Sequence, residues 1–292
     1  MAFHRALSVL ACLSAAASPL PAGEEADVVR SGYADVPGGK LSYEAAGMGP
    51  HVLLLSGGNW MDLREWDGQF IPFSRSFQAI RYDARGSGMS DTPTGPFSHA
   101  DDLHALLDRL RIRKAHLVGL GSTAGVALDF ALAHPDRVAS LVLVSPSVGG
   151  YEFSEEHGKR EAALLKVLKK EGAKAFARAV LDDPYLVPAG GRRKARKLLR
   201  SNAKRLLSVD PSWVQGLDPP AIGRLLEIHV PTLVVLGEED DPEILKAGDV
   251  VSEGIPSARK VVLRGAGHAV NMERSRKFSR VVLDFLRGLP PS

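Results

Sequence analysis

Three segments carry residues that could move protons or attack a carbonyl. The first is Gly265-Ala266-Gly267-His268, a histidine on a small-residue loop just after an apolar run. A histidine so placed can swing over the edge of a sheet and act as a general base. The second is Gly237-Glu238-Glu239-Asp240, behind another apolar run. A carboxylate there can hold the second imidazole nitrogen and stabilise its cation. Asp241 competes for that role, but Asp241-Pro242 reads as a helix start, so Asp240 is preferred. The third is His116-Leu117-Val118-Gly119-Leu120-Gly121-Ser122-Thr123-Ala124-Gly125, a strand running into a helix. A nucleophile on such a turn normally reads Gly-x-Ser-x-Gly, because the tight backbone tolerates little bulk two residues to either side.

These loops need a frame. Short β-branched and apolar runs recur at residues 52–55, 77–82, 115–118, 138–144, 232–236 and 260–263. Helical patterns fill residues 100–110, 123–133, 242–253 and 274–286. Continuous apolar strands alternating with helices predict an α/β fold, a mostly parallel, doubly wound sheet covered on both faces. Residues 31–46 alternate around Pro37-Gly38-Gly39, which predicts an antiparallel hairpin at the sheet edge. The alternation breaks over residues 149–228, where the pattern is helical. An insertion there would sit over the C-terminal ends of the strands as a lid, leaving residues 24–148 and 229–292 as the core.

The chain has 292 residues, 45% of them hydrophobic and 24% charged, with a net charge of +3. That supports a sizeable core and excludes a disordered chain. No run of about 18 apolar residues is present, so no membrane-spanning helix is expected. Cys12 is the single cysteine, which excludes an internal disulfide framework and a cysteine-based zinc site. Residues 1–23 read as a signal peptide, with a basic start at His4 and Arg5, an apolar stretch and small residues near a cleavage point. An exported protein, periplasmic or secreted, is expected. A lipid anchor at Cys12 is disfavoured, because Leu10 and the short apolar stretch fit a lipoprotein box poorly. The basic residues concentrate in one helical segment, Arg192, Arg193, Lys194, Arg196, Lys197, Arg200, Lys204 and Arg205, over an apolar stripe at helical spacing. A solvated face over a packed stripe is the favoured reading. The sharper one is peripheral contact with an anionic membrane surface or an acidic substrate. Nucleic acid is not expected, since no aromatic stacking platform accompanies the charge.

From about Ser31 onward the chain resembles the α/β-hydrolase superfamily, in its lidded esterase and enol-lactonase branch. The resemblance rests on Arg81-Tyr82-Asp83-Ala84-Arg85-Gly86-Ser87-Gly88-Met89-Ser90-Asp91, on Phe130 to Val138, on Pro231 to Gly237 and on Gly265 to His268, in that order. It implies a His268-Asp240 pair and an oxyanion hole of backbone N–H groups from Gly58 and Ser122. Two departures matter. Ser56-Gly57 stands where the family has His-Gly. Aligned without gaps, the nucleophile position falls on Gly121, with strain left only at Thr123. Using Ser122 instead would put Leu120 where a small residue belongs. The resemblance therefore implies an enzyme acting on a small, largely apolar ester, lactone or related carbonyl compound, with the histidine working on water or on a substrate proton. Two alternatives stay open: a non-catalytic relative that binds a small ligand, and a serine hydrolase using Ser122 through a shifted turn. No cofactor is expected, because no dinucleotide or phosphate-binding glycine loop is present. No metal is expected either, because the histidines lack a paired ligand spacing.

Overall fold

The computed structural model describes residues 28–56, 60–186 and 192–290. The expected signal peptide, Cys12 and Gly58 lie outside them. Among the described residues, eight strands form one sheet: β1 (Arg30–Val36), β2 (Gly39–Ala46), β3 (His51–Ser56), β4 (Gln78–Asp83), β5 (Ala115–Leu120), β6 (Val138–Val144), β7 (Thr232–Gly237) and β8 (Ala258–Leu263). Their order is β1-β2-β4-β3-β5-β6-β7-β8. The β1–β2 hairpin is antiparallel and also pairs antiparallel with β4; the other pairings are parallel. The expected edge hairpin and parallel core are both present.

Side chains of a strand alternate between the two faces. Leu53, Leu55, Leu117, Leu141, Leu143, Val234 and Leu236 enter one core. Their neighbours Val52, Leu54, Val118, Val142, Val144, Leu233 and Val235 enter the other. With both faces covered, most positions of these strands are apolar and the runs read as nearly continuous. Helices α1 (Asp67–Ser74), α2 (His99–Arg109) and α3 (Ser122–Ala133) follow in chain order. The inserted pair α4 (Glu155–Asp182) and α5 (Arg192–Leu206) comes next, then α6 (Pro242–Gly254), α7 (Val270–Glu273) and α8 (Ser275–Arg287). Helices α2 and α3 pack on the first core, and α1 and α8 on the second. Sequence periodicity misses α1: its apolar residues lie all round it, and Pro72 interrupts the pattern. It is wedged against α8 by Phe70 and Phe73, and by Gln69, which donates to Ser275 Oγ of α8 at 3.0 Å and to Asn271 O of α7 at 2.9 Å.

The segment Arg81 to Asp91 ties the hairpin to the core. Arg85 donates from Nε to Asp102 Oδ2 at 2.8 Å and from Nη2 to Oδ1 at 2.5 Å, in α2. Its guanidinium also donates to the carbonyls of Pro37 and Gly38 in the hairpin turn. Both side chains of this pair are buried. Removing one partner of a buried ion pair strands the other, which costs about 3–5 kcal/mol. Arg85→Ala is expected to lower the urea midpoint by that much stability. An apolar double replacement, Arg85→Met with Asp102→Leu, is expected to recover most of it. An unchanged midpoint in Arg85→Ala would refute the account.

The inserted helices form a third small core of Leu164, Leu168, Phe176, Val180, Leu198 and Leu199. Helix α4 is broken at Gly172, where φ is 81°. Helix α5 buries Ala195, Leu198, Leu199 and Ala203, and exposes Arg192, Arg193, Arg196, Lys197 and Arg200. Asn202 anchors α5 to the sheet domain. Its Nδ2 donates to Asp62 Oδ2 at 2.6 Å, and its Oδ1 accepts the Gly88 N–H at 3.0 Å. Among the described residues no helix is long and apolar enough to cross a membrane.

Candidate active site

Loops at the C-terminal ends of β5, β7 and β8 converge on one cavity. The β7 and β8 loops are stitched together by main-chain bonds. Glu238 N donates to Leu263 O at 3.1 Å and Glu239 N to Ala266 O at 2.8 Å. This approach needs a glycine at position 237, where a Cβ would lie 2.2 Å from Gly267 O. The stitching brings Asp240 beside His268, with Nδ1 3.1 Å from Asp240 Oδ1. The Asp241 N–H donates to the same oxygen at 2.7 Å. Asp240 Oδ2 is buried with no hydrogen-bond partner among the described residues.

Both residues of this pair are buried. Burial pulls the imidazole pKa down, but the Asp240 carboxylate outweighs it, and the His268 pKa stands above its ordinary value. The His268 main chain is tied as well, its N–H donating to Tyr185 O at 3.0 Å, just beyond α4. Glu273, in α7, holds the loop from the other side by accepting the Gly267 N–H at 2.7 Å. Burial pushes the Glu273 carboxyl up to about 7.

The β5–α3 turn supplies another part of the wall. Gly121 has φ 59° and ψ −122°, a left-handed conformation that costs a glycine nothing. Ser122 begins α3, is exposed, and lines the cavity. First-turn N–H groups lack intrahelical partners and sit at the positive end of the helix dipole. The turn is tight: a Cβ on Gly119 would lie 2.4 Å from Thr123 O. Thr123 itself is accommodated rather than strained. Its hydroxyl accepts the Leu120 N–H at 3.0 Å and lies 2.9 Å from Leu120 O and 3.1 Å from Leu55 O.

The cavity has a volume of about 340 Å³ and includes Trp60, Met61, Leu120, Val180, Ile244 and Met272 in its walls. A second chamber of about 550 Å³ shares Trp60, Ser122 and Ser147 with it. Space therefore extends to both sides of Ser122, and most of it is apolar. Among the described residues no group of three or more His, Cys, Asp or Glu side chains is arranged to hold a metal ion.

Asp241 has a separate job. It caps α6 by accepting the Glu243 N–H at 2.9 Å, as the Asp-Pro pair predicts, and it also holds His157 of α4 across the cavity. Sequence reading did not single out His157 or Glu273. A histidine near the start of an inserted helix carries no pattern, and its carboxylate partner is 84 residues away.

A sequence model of the alpha/beta hydrolase family matches residues 52–281. A 2-hydroxy-6-oxononadienedioate/2-hydroxy-6-oxononatrienedioate hydrolase of Paraburkholderia xenovorans is 27% identical over 269 residues, covering 85% of this chain and 90% of that one. An enol-lactonase from Burkholderia xenovorans superposes with a TM-score of 0.71 and 28% identity, over 88% of this chain and 100% of that one. A thermophilic esterase from Thermogutta terrifontis shares the fold, with a TM-score of 0.74 at 24% identity, over 88% of this chain and 98% of that one. With the family's sequence pattern spanning most of the core, and its fold matched across these structures, the chain belongs to the alpha/beta hydrolase family.

Proposed function

We propose that the chain hydrolyses a small, largely apolar ester or lactone with water as the nucleophile, His268 as general base and Asp240 as its orienting carboxylate. One observation carries the reading: the positive-φ residue of the β5–α3 turn is Gly121, which has no side chain to attack with, while the His268–Asp240 pair in the same cavity is intact. The relatives named as a hydrolase and an enol-lactonase support a small carbonyl substrate. The two inserted helices act in this reading as the lid that shapes the pocket.

The step balances with water alone. His268 takes a proton from water as the oxygen adds to the carbonyl carbon. The resulting oxyanion is held by the Ser122 N–H and, in this reading, the Gly58 N–H. Collapse breaks the bond to the leaving oxygen, and the imidazolium returns its proton there. One water is consumed, and an acid and an alcohol are released. Serine hydrolases stripped of a triad member keep about 10³- to 10⁴-fold acceleration over water from the oxyanion hole and binding. A positioned base contributes about 10²- to 10⁴-fold. That suffices for activated esters and lactones, and not for peptide bonds.

A second reading, Ser122 as nucleophile, is favoured by its place in the cavity wall. A panel of p-nitrophenyl acyl esters separates the two. The working base is neutral His268, and its pKa is raised, so kcat/KM is expected to rise with pH and level off above an apparent pKa higher than 6.5. Ser122→Ala is expected to keep kcat/KM within a few fold, and a fluorophosphonate is expected to leave the intact mass unchanged. Loss of turnover in Ser122→Ala with an adduct on Ser122 would establish the serine mechanism instead. No turnover by the wild type on any ester would favour a ligand-binding relative.

A further inference from the structure

The hydrolytic step leaves the second histidine of the cavity unused. His157 faces the same cavity as His268, with Nδ1 2.9 Å from Asp241 Oδ2. An ionised carboxylate only accepts hydrogen bonds, so this contact places the imidazole proton on Nδ1. Arg160 Nη2 stands 3.3 Å from the same nitrogen, but the guanidinium already has carboxylates to serve. It pairs with Asp241 and reaches Asp183 at 3.5 Å. The Arg160 side chain lies over the Tyr185 ring, 5.1 Å from its centre, and Phe153 stacks on His157 at 4.5 Å with planes 17° apart. The imidazole is therefore fixed on its Nδ1 edge and on one face.

Its other nitrogen points the opposite way. Nε2 is 4.0 Å from Glu161 Oε1, beyond hydrogen-bond reach, and Glu161 also lines the cavity. Burial, the largest influence, lowers the His157 pKa. Glu161 and Glu243 oppose this, Arg160 and His268 assist it, and the net displacement is downward. With the proton on Nδ1, the Nε2 of the neutral ring presents its lone pair on the side of the cavity that His157 and Glu161 line.

We propose that His157 Nε2 accepts a hydrogen bond from the substrate, so that the cavity selects carbonyl compounds carrying an O–H or N–H group over analogues that lack one. The carbonyl part of this statement rests on the proposed hydrolysis; the donor part rests on His157 alone. A site that reads a donor rejects the analogue without it, by up to about 10⁴- to 10⁵-fold in a sealed pocket. His157 keeps some contact with solvent, so a preference of about 10- to 10²-fold is expected here.

The test pairs p-nitrophenyl butanoate with its 3-hydroxy derivative. Wild type is expected to favour the hydroxylated ester in kcat/KM by that factor. The ratio is expected to fall to about one in His157→Phe and to survive in part in His157→Gln, whose amide oxygen can still accept. A second arm needs no turnover and no variant. In protein carrying 15N-histidine, the His157 Nε2 resonance is expected to move on adding a hydroxybutanamide and to stay put with butanamide. Equal treatment of both esters by wild type, a preference that persists in His157→Phe, or an Nε2 resonance indifferent to every hydroxyl would each overturn the inference. If wild type cleaves no ester while the resonance responds to the hydroxylated amide alone, the hydrolytic reading fails and the assignment of His157 stands.

Discussion

His268→Ala is expected to lower kcat/KM for an activated ester by about 10²- to 10⁴-fold, the range a positioned general base supplies. In this fold the loss has two physical parts. The first is chemical: Nδ1 is engaged by Asp240, so proton exchange with the cavity belongs to Nε2. The second is electrostatic: Asp240 is buried, and without the imidazole the charge that raises the histidine pKa is left without that partner. His268→Gln separates them, because its amide can still donate to Asp240 while offering no base. Both variants are expected to lose turnover alike, with the glutamine variant melting closer to wild type. Asp240→Asn is expected to lose most of the rate as well, since an amide can accept from Nδ1 but cannot stabilise the imidazolium. Steady-state kinetics beside thermal melts decide the matter. Turnover in His268→Gln within about threefold of wild type would remove His268 from the reaction.

What the sequence made legible depended on how local the signal was. Strands β3, β5, β6 and β7 are buried on both faces, so their apolar runs stand out without any knowledge of neighbours. His268 and Asp240 are legible for a related reason. Each follows a strand on a loop of small or acidic residues, and the close approach of Gly237 to Gly267 demands that smallness. The Arg81–Asp91 segment was recognisable as a pattern but not as a device. Only the fold shows that Arg85 ties α2 to the hairpin turn. Helix α1 was hidden because its eight residues are packed on several sides and contain Pro72, so no single face is apolar. His157 was hidden because its meaning depends on Asp241. That residue reads locally as a helix cap, and it is one: Oδ1 caps α6 while Oδ2 holds the imidazole. A carboxylate with two oxygens can serve a local and a distant partner together, and sequence spacing shows the local one alone.

Gly121→Ser is expected to increase ester hydrolysis by about 10²-fold, a small share of the roughly 10⁶ that the nucleophile and base of a mature triad supply together. The backbone for a nucleophile is already built. Gly121 N donates to Val144 O at 2.9 Å, and Gly121 O accepts from Ala124 N at 3.1 Å and Ser147 N at 3.2 Å, so the turn is held from both sides. The new hydroxyl would stand in the wall of the cavity that His268 also lines. The same conformation that costs glycine nothing is strained for any residue with a Cβ, by about 1–3 kcal/mol. Stability and activity are therefore expected to move in opposite directions, with a lower melting temperature and a faster ester cleavage in one variant. A fluorophosphonate is expected to add one equivalent of mass to the variant and none to wild type. The opposite pairing, a folded variant with a lowered melting temperature and no gain in rate or labelling, would mean that the strained turn no longer aims its residue at a bound carbonyl. In that case the cavity's chemistry would have to be sought at Ser122.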